Sequence, residues 1–292
     1  MRGAAPSLGP SGREREFAFG DEDFRSLREL VRAETGITLS EAKRELVYGR
    51  LSRRLRVLQL GSFREYRDLL AGPQRESELG EFINAVTTNL TAFFRENHHF
   101  DYLREQFLGP LVAAGKRGQR IRIWSAGCSS GEEPYSIAMT VAETLPDWQR
   151  MDIRILATDL DTDMVARGER GVYREDRVAG IGSRRLERWF QEVPARGAGG
   201  RHYKVAPELA AMIAFRRLNL MEPLPFKGPL DVIFCRNVII YFDKDTQRDL
   251  FRRIAPLQRP GDLLFLGHSE SLFKVTDDYS LIGKTIYRRA GG

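Results

Sequence analysis

The residues best placed to do chemistry are gathered in "WSAGCSSGEEPYS", residues 124–136, a glycine-rich turn that opens a helix. Such a turn lets a ligand approach backbone N–H groups, and the helix N-terminus favours an anion. Here Glu132 and Glu133 already occupy that favourable potential and would repel a diphosphate. No lysine follows Gly131, as a P-loop requires. The same stretch reads G-x-S-x-G around Ser129, and Asp231 and His268 follow in the chain order of an α/β-hydrolase triad. Against that reading, the chain before Arg120 is helical in pattern where a hydrolase places several strands, and paired glutamates oppose an oxyanion.

A third chemistry fits these charges. S-adenosylmethionine carries a sulfonium, an ammonium and a carboxylate but no phosphate, so a close glycine turn with acidic side chains suits it. A second apolar run ends in "ATDLD", where the Asp159 carboxylate is placed to accept the two ribose hydroxyls. The plainer alternative is that Asp159 caps the next helix.

The elements that would position these residues come in two sets. From Asp21 to about Val86 the periodicity is helical. "DEDFRSLRELVRAETG" starts acidic and stops at Gly36, and "SEAKRELVYGRLSRRLRVLQLG" offers Ser40 as N-cap and Gly61 as terminator. The second helix has apolar positions Leu46, Val47, Leu51, Leu55 and Leu58, and "SFREYRDLLAG" and "ESELGEFINAVTT" supply two more helices. Beyond a linker and a further helix, strand-like "RIRIWSAG", "DIRILATDLD", "LDVIFCRNVIIYF" and "GDLLFLGHSE" alternate with helical stretches. That alternation predicts a parallel sheet covered by helices, closed by "LIGKTIYRRA" as an edge strand. The segment 172–212 interrupts it, with the turn "RGAGG" between two short strands.

The 292 residues, 42% hydrophobic and 29% charged, describe a globular chain without a membrane-spanning run of about 20 apolar residues. Residues 1–20 read as a disordered Gly/Pro/Ser/Arg tail without a secretory signal. Cys128 and Cys235, outside any C-x-x-C spacing, predict no disulfide framework, no metal site and a reducing cytoplasm. They read as small buried residues, and His98 and His99 as packing or capping residues of a helix. The net charge of +6 admits nucleic acid or an acidic protein surface.

Six blocks then fall in order: "TTNLTAFFRENHHF", "WSAGCSSGEEPYSIAM", "ATDLDTDMVARGERGVY", "FRRLNL", "DVIFCRNVIIYFDKDTQ" and "GHSESL". From about Phe24 to Tyr287 the chain resembles the chemotaxis receptor glutamate methyltransferases, the CheR family. The resemblance implies an α/β protein with an all-helical N-terminal receptor-recognition domain (21–87), a linker and helix (88–110), and a class I S-adenosylmethionine-dependent, Rossmann-like methyltransferase domain (111–292). A small β subdomain is inserted at about 172–212. The implied reaction moves a methyl group from S-adenosylmethionine to glutamate side chains on the cytoplasmic methylation helices of chemoreceptors. The products are glutamyl methyl esters, which serve sensory adaptation, and S-adenosylhomocysteine.

Carried onto matching positions, the resemblance implies cofactor contacts at Asn89, Thr91 and Arg95, at Glu133 with Glu132 as the alternative, and at Asp159. Asn219 and Leu220 would flank the adenine, and Arg236 and Asn237 would lie along the cofactor. Arg95 and Tyr241 are the implied catalytic residues. In the basic run, Arg50, Arg53 and Arg54 would meet the receptor's acidic helices, against the alternative of a solvated helix face. Some members grip a receptor's C-terminal pentapeptide with the β subdomain, and "ARGAGGRHYK" does not decide which type this is. A monomer without nucleic-acid binding or membrane insertion is expected. A sensory module that binds the cofactor without transfer is disfavoured by Arg95 and Tyr241. A base-amine methyltransferase is disfavoured by "CRNVIIY" where an Asn/Asp-Pro-Pro-aromatic turn would stand.

Overall fold

The computed structural model describes residues 15–115, 119–194 and 200–291. The chain forms two compact units: one runs to Thr88 and includes Tyr241–Asp243, the other comprises Asn89–Ile240 and Lys244 onward.

The first unit is built from α1 (Asp21–Thr35), α2 (Arg44–Leu58), α3 (Phe63–Ala71) and α4 (Arg75–Val86). Three acidic residues in the first turn of α1 and Arg32 in its last complement the helix dipole, and left-handed Gly36 closes it. The start and end of α2 differ from expectation. A single 3₁₀ turn, Glu41–Lys43, leads into it, and the Ser40 side chain makes no capping bond. Gln59 takes the left-handed conformation and Leu60 N–H reaches back to the Leu55 carbonyl at 3.0 Å, so the helix closes before Gly61. Leu27, Val31, Val47, Leu51, Leu55, Tyr66 and Phe82 form the core, whereas Leu46 is 40% exposed. Residues 1–14 of the expected tail lie outside the described residues. Phe17 and Phe19 are buried, and the Phe19 ring lies 4.4 Å from that of Phe63, so apolar burial outweighs the polar composition around them.

In the second unit, α5 (His98–Tyr102), a wider helical turn at Leu103–Leu108 and α6 (Gly109–Ala113) lead to β1 (Ile121–Ala126), α7 (Glu132–Thr144), β2 (Ile153–Asp159) and α8 (Thr162–Arg170). An insertion follows: β3 (Val172–Arg174), α9 (Glu175–Val178), α10 (Ser183–Trp189), β4 (Phe190–Val193), β5 (His202–Val205) and α11 (Pro207–Ala210). The chain continues through β6 (Ile213–Arg217), β7 (Val232–Cys235), α12 (Lys244–Ile254), β8 (Leu263–Leu266), β9 (Tyr279–Gly283) and β10 (Ile286–Arg289). The main sheet runs β6-β2-β1-β7-β8-β10-β9, parallel from β6 to β8, with β10 antiparallel to both neighbours. This is the class I methyltransferase arrangement, and its strand order reverses at β1, which opens a crevice beyond the carboxyl ends of β1, β2 and β7.

Three elements depart from the expected pattern. "LDVIFCRNVIIYF" is strand only to Cys235, because Asn237 turns left-handed at φ 59°. "LIGKTIYRRA" breaks at left-handed Thr285 into a hairpin, so β9 rather than β10 is the edge. The insertion holds three strands, β3-β5-β4, the short β3 adding to the expected pair. Most of its "RGAGG" turn lies outside the described residues.

One buried ion pair joins α2 to α4. Arg54 reaches both oxygens of Glu78 at 2.6 Å, and the Tyr66 hydroxyl donates to Glu78 Oε1 at 2.8 Å. Glu78 is 3% exposed, so removing its cation strands a buried charge. Arg54→Ala is therefore expected to cost about 3 kcal/mol of unfolding free energy. Urea unfolding midpoints equal to the parent's would refute this.

Candidate functional site

The glycine-rich turn sits against β2. Gly127 and Cys128 N–H both donate to the Thr158 carbonyl, at 2.8 and 2.9 Å. Ser129 N–H donates to Asp159 Oδ2 at 2.7 Å, and Gly131 N–H to the Cys128 carbonyl at 3.1 Å. Four N–H groups that a phosphate cradle would offer are thus committed within the protein. Gly127 is required at its place: at φ 78°, a Cβ would lie 2.3 Å from Val238 Cγ2.

Asp159 ends β2 with a half-buried carboxylate whose other oxygen accepts Asp161 N–H at 2.9 Å. The cap of α8 is Asp161, which accepts Asp163 and Met164 N–H, so the capping alternative for Asp159 falls. Burial pushes the Asp159 carboxyl up to about 6, against the pull of backbone N–H donors. Beside it, Leu218 N–H donates to the Asp159 carbonyl at 2.9 Å, which brings Asn219 and Leu220 to the end of β2. Asn219 Oδ1 accepts Met221 N–H at 3.0 Å, and the Leu220 carbonyl accepts from Arg253 at 2.7 Å.

The two glutamates of α7 part company, because adjacent helical residues point about 100° apart. Glu132 is fully buried; it accepts from Ser130 Oγ at 2.7 Å and pairs with Arg177 of the insertion. Arg177 also donates to the Thr91 carbonyl at 2.9 Å, fixing the strap that precedes α5. Glu133 accepts from Ser125 Oγ at 2.7 Å and from Arg236 Nη1 at 3.1 Å. Burial raises its carboxyl above the ordinary range, with Arg236 and Ser125 pulling it back.

Arg236, its side chain 2% exposed, also donates to the Arg95 carbonyl and lies 3.4 Å from Glu96. Arg95 Nη1 bonds the Leu90 carbonyl at 2.9 Å, and its side chain is partly exposed. Asn89 donates to Asp161 at 2.7 Å and receives Ser129 Oγ on its carbonyl at 3.1 Å. Burial alone would raise the Glu96 carboxyl, but His268 at 3.0 Å and the Arg236 charge hold it down to about 2. Buried His99 is pushed down to about 3 by desolvation and by Arg236. Cys128 and Cys235 are both buried free thiols.

Asn89, Thr91, Arg95, Glu133, Asp159, Asn219, Leu220, Arg236 and Asn237 all belong to the second unit. Tyr241 is counted with the helical one, where its carbonyl accepts Thr38 N–H at 2.8 Å and Lys43 Nζ lies 4.5 Å from its ring centre. In that unit Arg50 donates to the Ala85 and Thr87 carbonyls, Arg54 is held by Glu78, and Arg53 is exposed.

The hydrolase triad does not assemble. Asp231 accepts Arg122 N–H at the amino end of β7, with Val232 beside Ile123, whereas Ser129 follows the carboxyl end of β1. Ser129 Oγ faces the Asn89 carbonyl and His268 faces Glu96. Three residues of the site were not singled out by sequence reasoning: Arg177, Glu96 and Glu270. Each is one charge among many in the chain, and only the quoted "GHSESL" block pointed towards Glu270.

S-adenosylmethionine fits the residues present. Carboxylates stand at the ends of β2 and in the first turn of α7, where hydroxyls and a cation are wanted, and the turn's N–H groups are unavailable to phosphate.

Comparisons with known proteins agree with this geometry. The family model for the CheR methyltransferase all-alpha domain matches residues 22–87, and that for the CheR methyltransferase SAM binding domain matches 89–288. A probable chemotaxis protein methyltransferase of Rhizobium etli is 43% identical over 260 residues, covering 89% of this chain and 96% of that protein. The chemotaxis protein methyltransferase of Salmonella typhimurium is 43% identical over 277 residues, 92% of this chain and 91% of that one. Chemotaxis protein methyltransferase 2 of Pseudomonas aeruginosa is 44% identical over 276 residues, 94% and 95% of the two chains. With both units matched and the committed turn explained, the chain belongs to the CheR family of S-adenosylmethionine-dependent methyltransferases.

Proposed function

We propose that this methyltransferase esterifies glutamate side chains on the cytoplasmic methylation helices of chemotaxis receptors, acting as a cytoplasmic monomer. The observation that carries the reading is Arg95: a partly exposed guanidinium whose own carbonyl is held by the buried Arg236–Glu133 pair. An arginine so anchored at a sulfonium-cofactor turn suits an acceptor that is a carboxylate.

When bound, the cofactor supplies an electrophilic methyl group. A glutamate acceptor is ionised at neutral pH (reference about 4.3), so the protein has no general base to provide. Its work is alignment and desolvation. Arg95 and Tyr241 are the proposed catalytic residues, Arg95 orienting the carboxylate without pairing so tightly that it quenches the nucleophile. Asp159 takes the ribose hydroxyls, and Glu133 the ammonium end of the methionine moiety. Asn219 and Leu220 flank the adenine, and Asn89, Thr91, Arg236 and Asn237 shape the remaining wall. Exposed Arg53 is the receptor-facing cation of α2, since Arg50 and Arg54 have partners within the bundle. A receptor's C-terminal pentapeptide would add to an edge of the β3-β5-β4 sheet by strand pairing.

Methyl-labelled cofactor and receptor cytoplasmic fragments test this directly. The label is expected on receptor and released by mild alkali, as from an ester; alkali-stable label would overturn the assignment. Arg95→Ala should lower kcat by about 10²-fold, the scale of losing alignment of the reacting groups. Arg53→Glu should raise the receptor KM about fivefold, a modest loss of electrostatic complementarity, with cofactor affinity unchanged. An unaltered KM would remove Arg53 from the interface.

Affinity for S-adenosylhomocysteine should also depend on pH through Asp159. Its raised folded value of about 6 means that the proton competes with the ribose on the acid side. Kd is expected to be flat above pH 7 and to rise about tenfold per unit below 6. Calorimetry from pH 5 to 8 measures this, and Asp159→Asn should bind weakly without that acid limb.

A further inference from the structure

We propose that Glu270 is a positioning residue for cofactor binding, holding the turn after β7 in the one conformation that presents Arg236 and Asn237. This deepens the proposed function and rests on that turn lining the cofactor. Glu270 Oε2 accepts the N–H groups of Asn237 and Gly267 at 2.8 and 2.6 Å. Its Oε1 accepts those of Val238 and Ile240 at 2.9 and 3.2 Å. Both oxygens are thus filled by backbone donors, and among the described residues no lysine or arginine pairs with this 5% exposed carboxylate. A buried carboxylate normally demands a cation, and here converging N–H dipoles take that place.

The turn needs such a device. Asn237 is left-handed at φ 59°, a conformation that asparagine tolerates better than other non-glycine residues but that still needs partners to fix it. The fit from the other side is equally close. A Cβ on Gly267 would lie 2.3 Å from Asn237 Nδ2 and 2.8 Å from its backbone nitrogen. Ahead of the turn, Arg236 bonds Glu133 and the Arg95 carbonyl, so a shift here reaches α7 and the Arg95 strap together.

Glu270→Gln separates positioning from bulk stability. Whichever oxygen becomes NH₂, two backbone N–H groups lose their acceptor and face a donor. The expected result is at least a tenfold rise in Kd for S-adenosylhomocysteine, measured by calorimetry on protein folded by circular dichroism. The kcat should fall as well, because the same shift reaches the Arg95 strap, whereas the receptor KM should stay near the parent's. Glu78→Gln, which disturbs a buried carboxylate network of the helical unit, should lower the melting temperature and leave that Kd unchanged. If Glu270→Gln does not fold, Gly267→Ala must produce the weakening by crowding the same turn. A parental Kd in the folded variant overturns the positioning role. Asn237→Ala distinguishes the two ways of failing. A raised Kd there beside a parental Kd in Glu270→Gln refutes positioning alone, whereas parental values in both refute the placement of this turn on the cofactor.

Discussion

The second unit depends on one buried guanidinium. Arg236 leaves the end of β7 and joins Glu133 at the start of α7, the Arg95 carbonyl and the edge of Glu96. Burying such an ion has a desolvation penalty of several kcal/mol, and an apolar replacement of similar shape would often be no less stable. What the pair supplies is geometry. A guanidinium presents donors in a fixed plane, so three segments far apart in sequence share one frame. Glu96 Oε2 lies 3.4 Å from Arg236 Nη2 and 3.6 Å from His99 Nδ1, so the frame extends into the start of α5.

The same logic runs through the turn after β1. Its N–H groups face Thr158 and Asp159 rather than the crevice, which removes the anion-binding character that strand-glycine-helix junctions usually carry. Acidic side chains replace that character with a preference for hydroxyls and positive charge. The change is made with backbone direction and two carboxylates, on a sheet whose topology is shared with nucleotide-binding proteins. Glu132 ties α7 to the insertion through Arg177, and Glu133 joins the Arg236 frame.

The alternation of strand and helix was legible in the sequence because buried parallel strands read as apolar runs and α7, α8 and α12 keep their periods. The positions of Asp159 and Glu133 were legible too, since both lie at junctions where the pattern changes. What escaped was set by backbone sign and by distant partners. In "CRNVIIY" only the asparagine hints at a left-handed turn, and the group that fixes it, Glu270, lies beyond α12 and β8. Likewise "LIGKTIYRRA" hides its hairpin at Thr285, which is not a glycine. The basic run on α2 reads as one charged face, yet Arg54 turns inward to Glu78 while neighbouring Arg53 stays exposed. A charge pattern gives the sign of a surface and not which charges are already paired.

A reaction without a general base puts unusual weight on this scaffolding. When acceptor and donor are already in their reactive ionic states, no proton transfer remains to be tuned, and rate follows from how narrowly the reacting atoms are held. Groups that would otherwise shift protonation near neutrality are accordingly displaced from it. The Glu96 carboxyl is held down to about 2 and His99 down to about 3, so these two groups keep one charge state across the working range. Asp159, at about 6, and Glu133, raised by burial above the ordinary carboxylate range, are shifted the other way. Acid therefore reaches these two carboxylates, at the end of β2 and in the first turn of α7, before it reaches Glu96 behind the Arg95 strap.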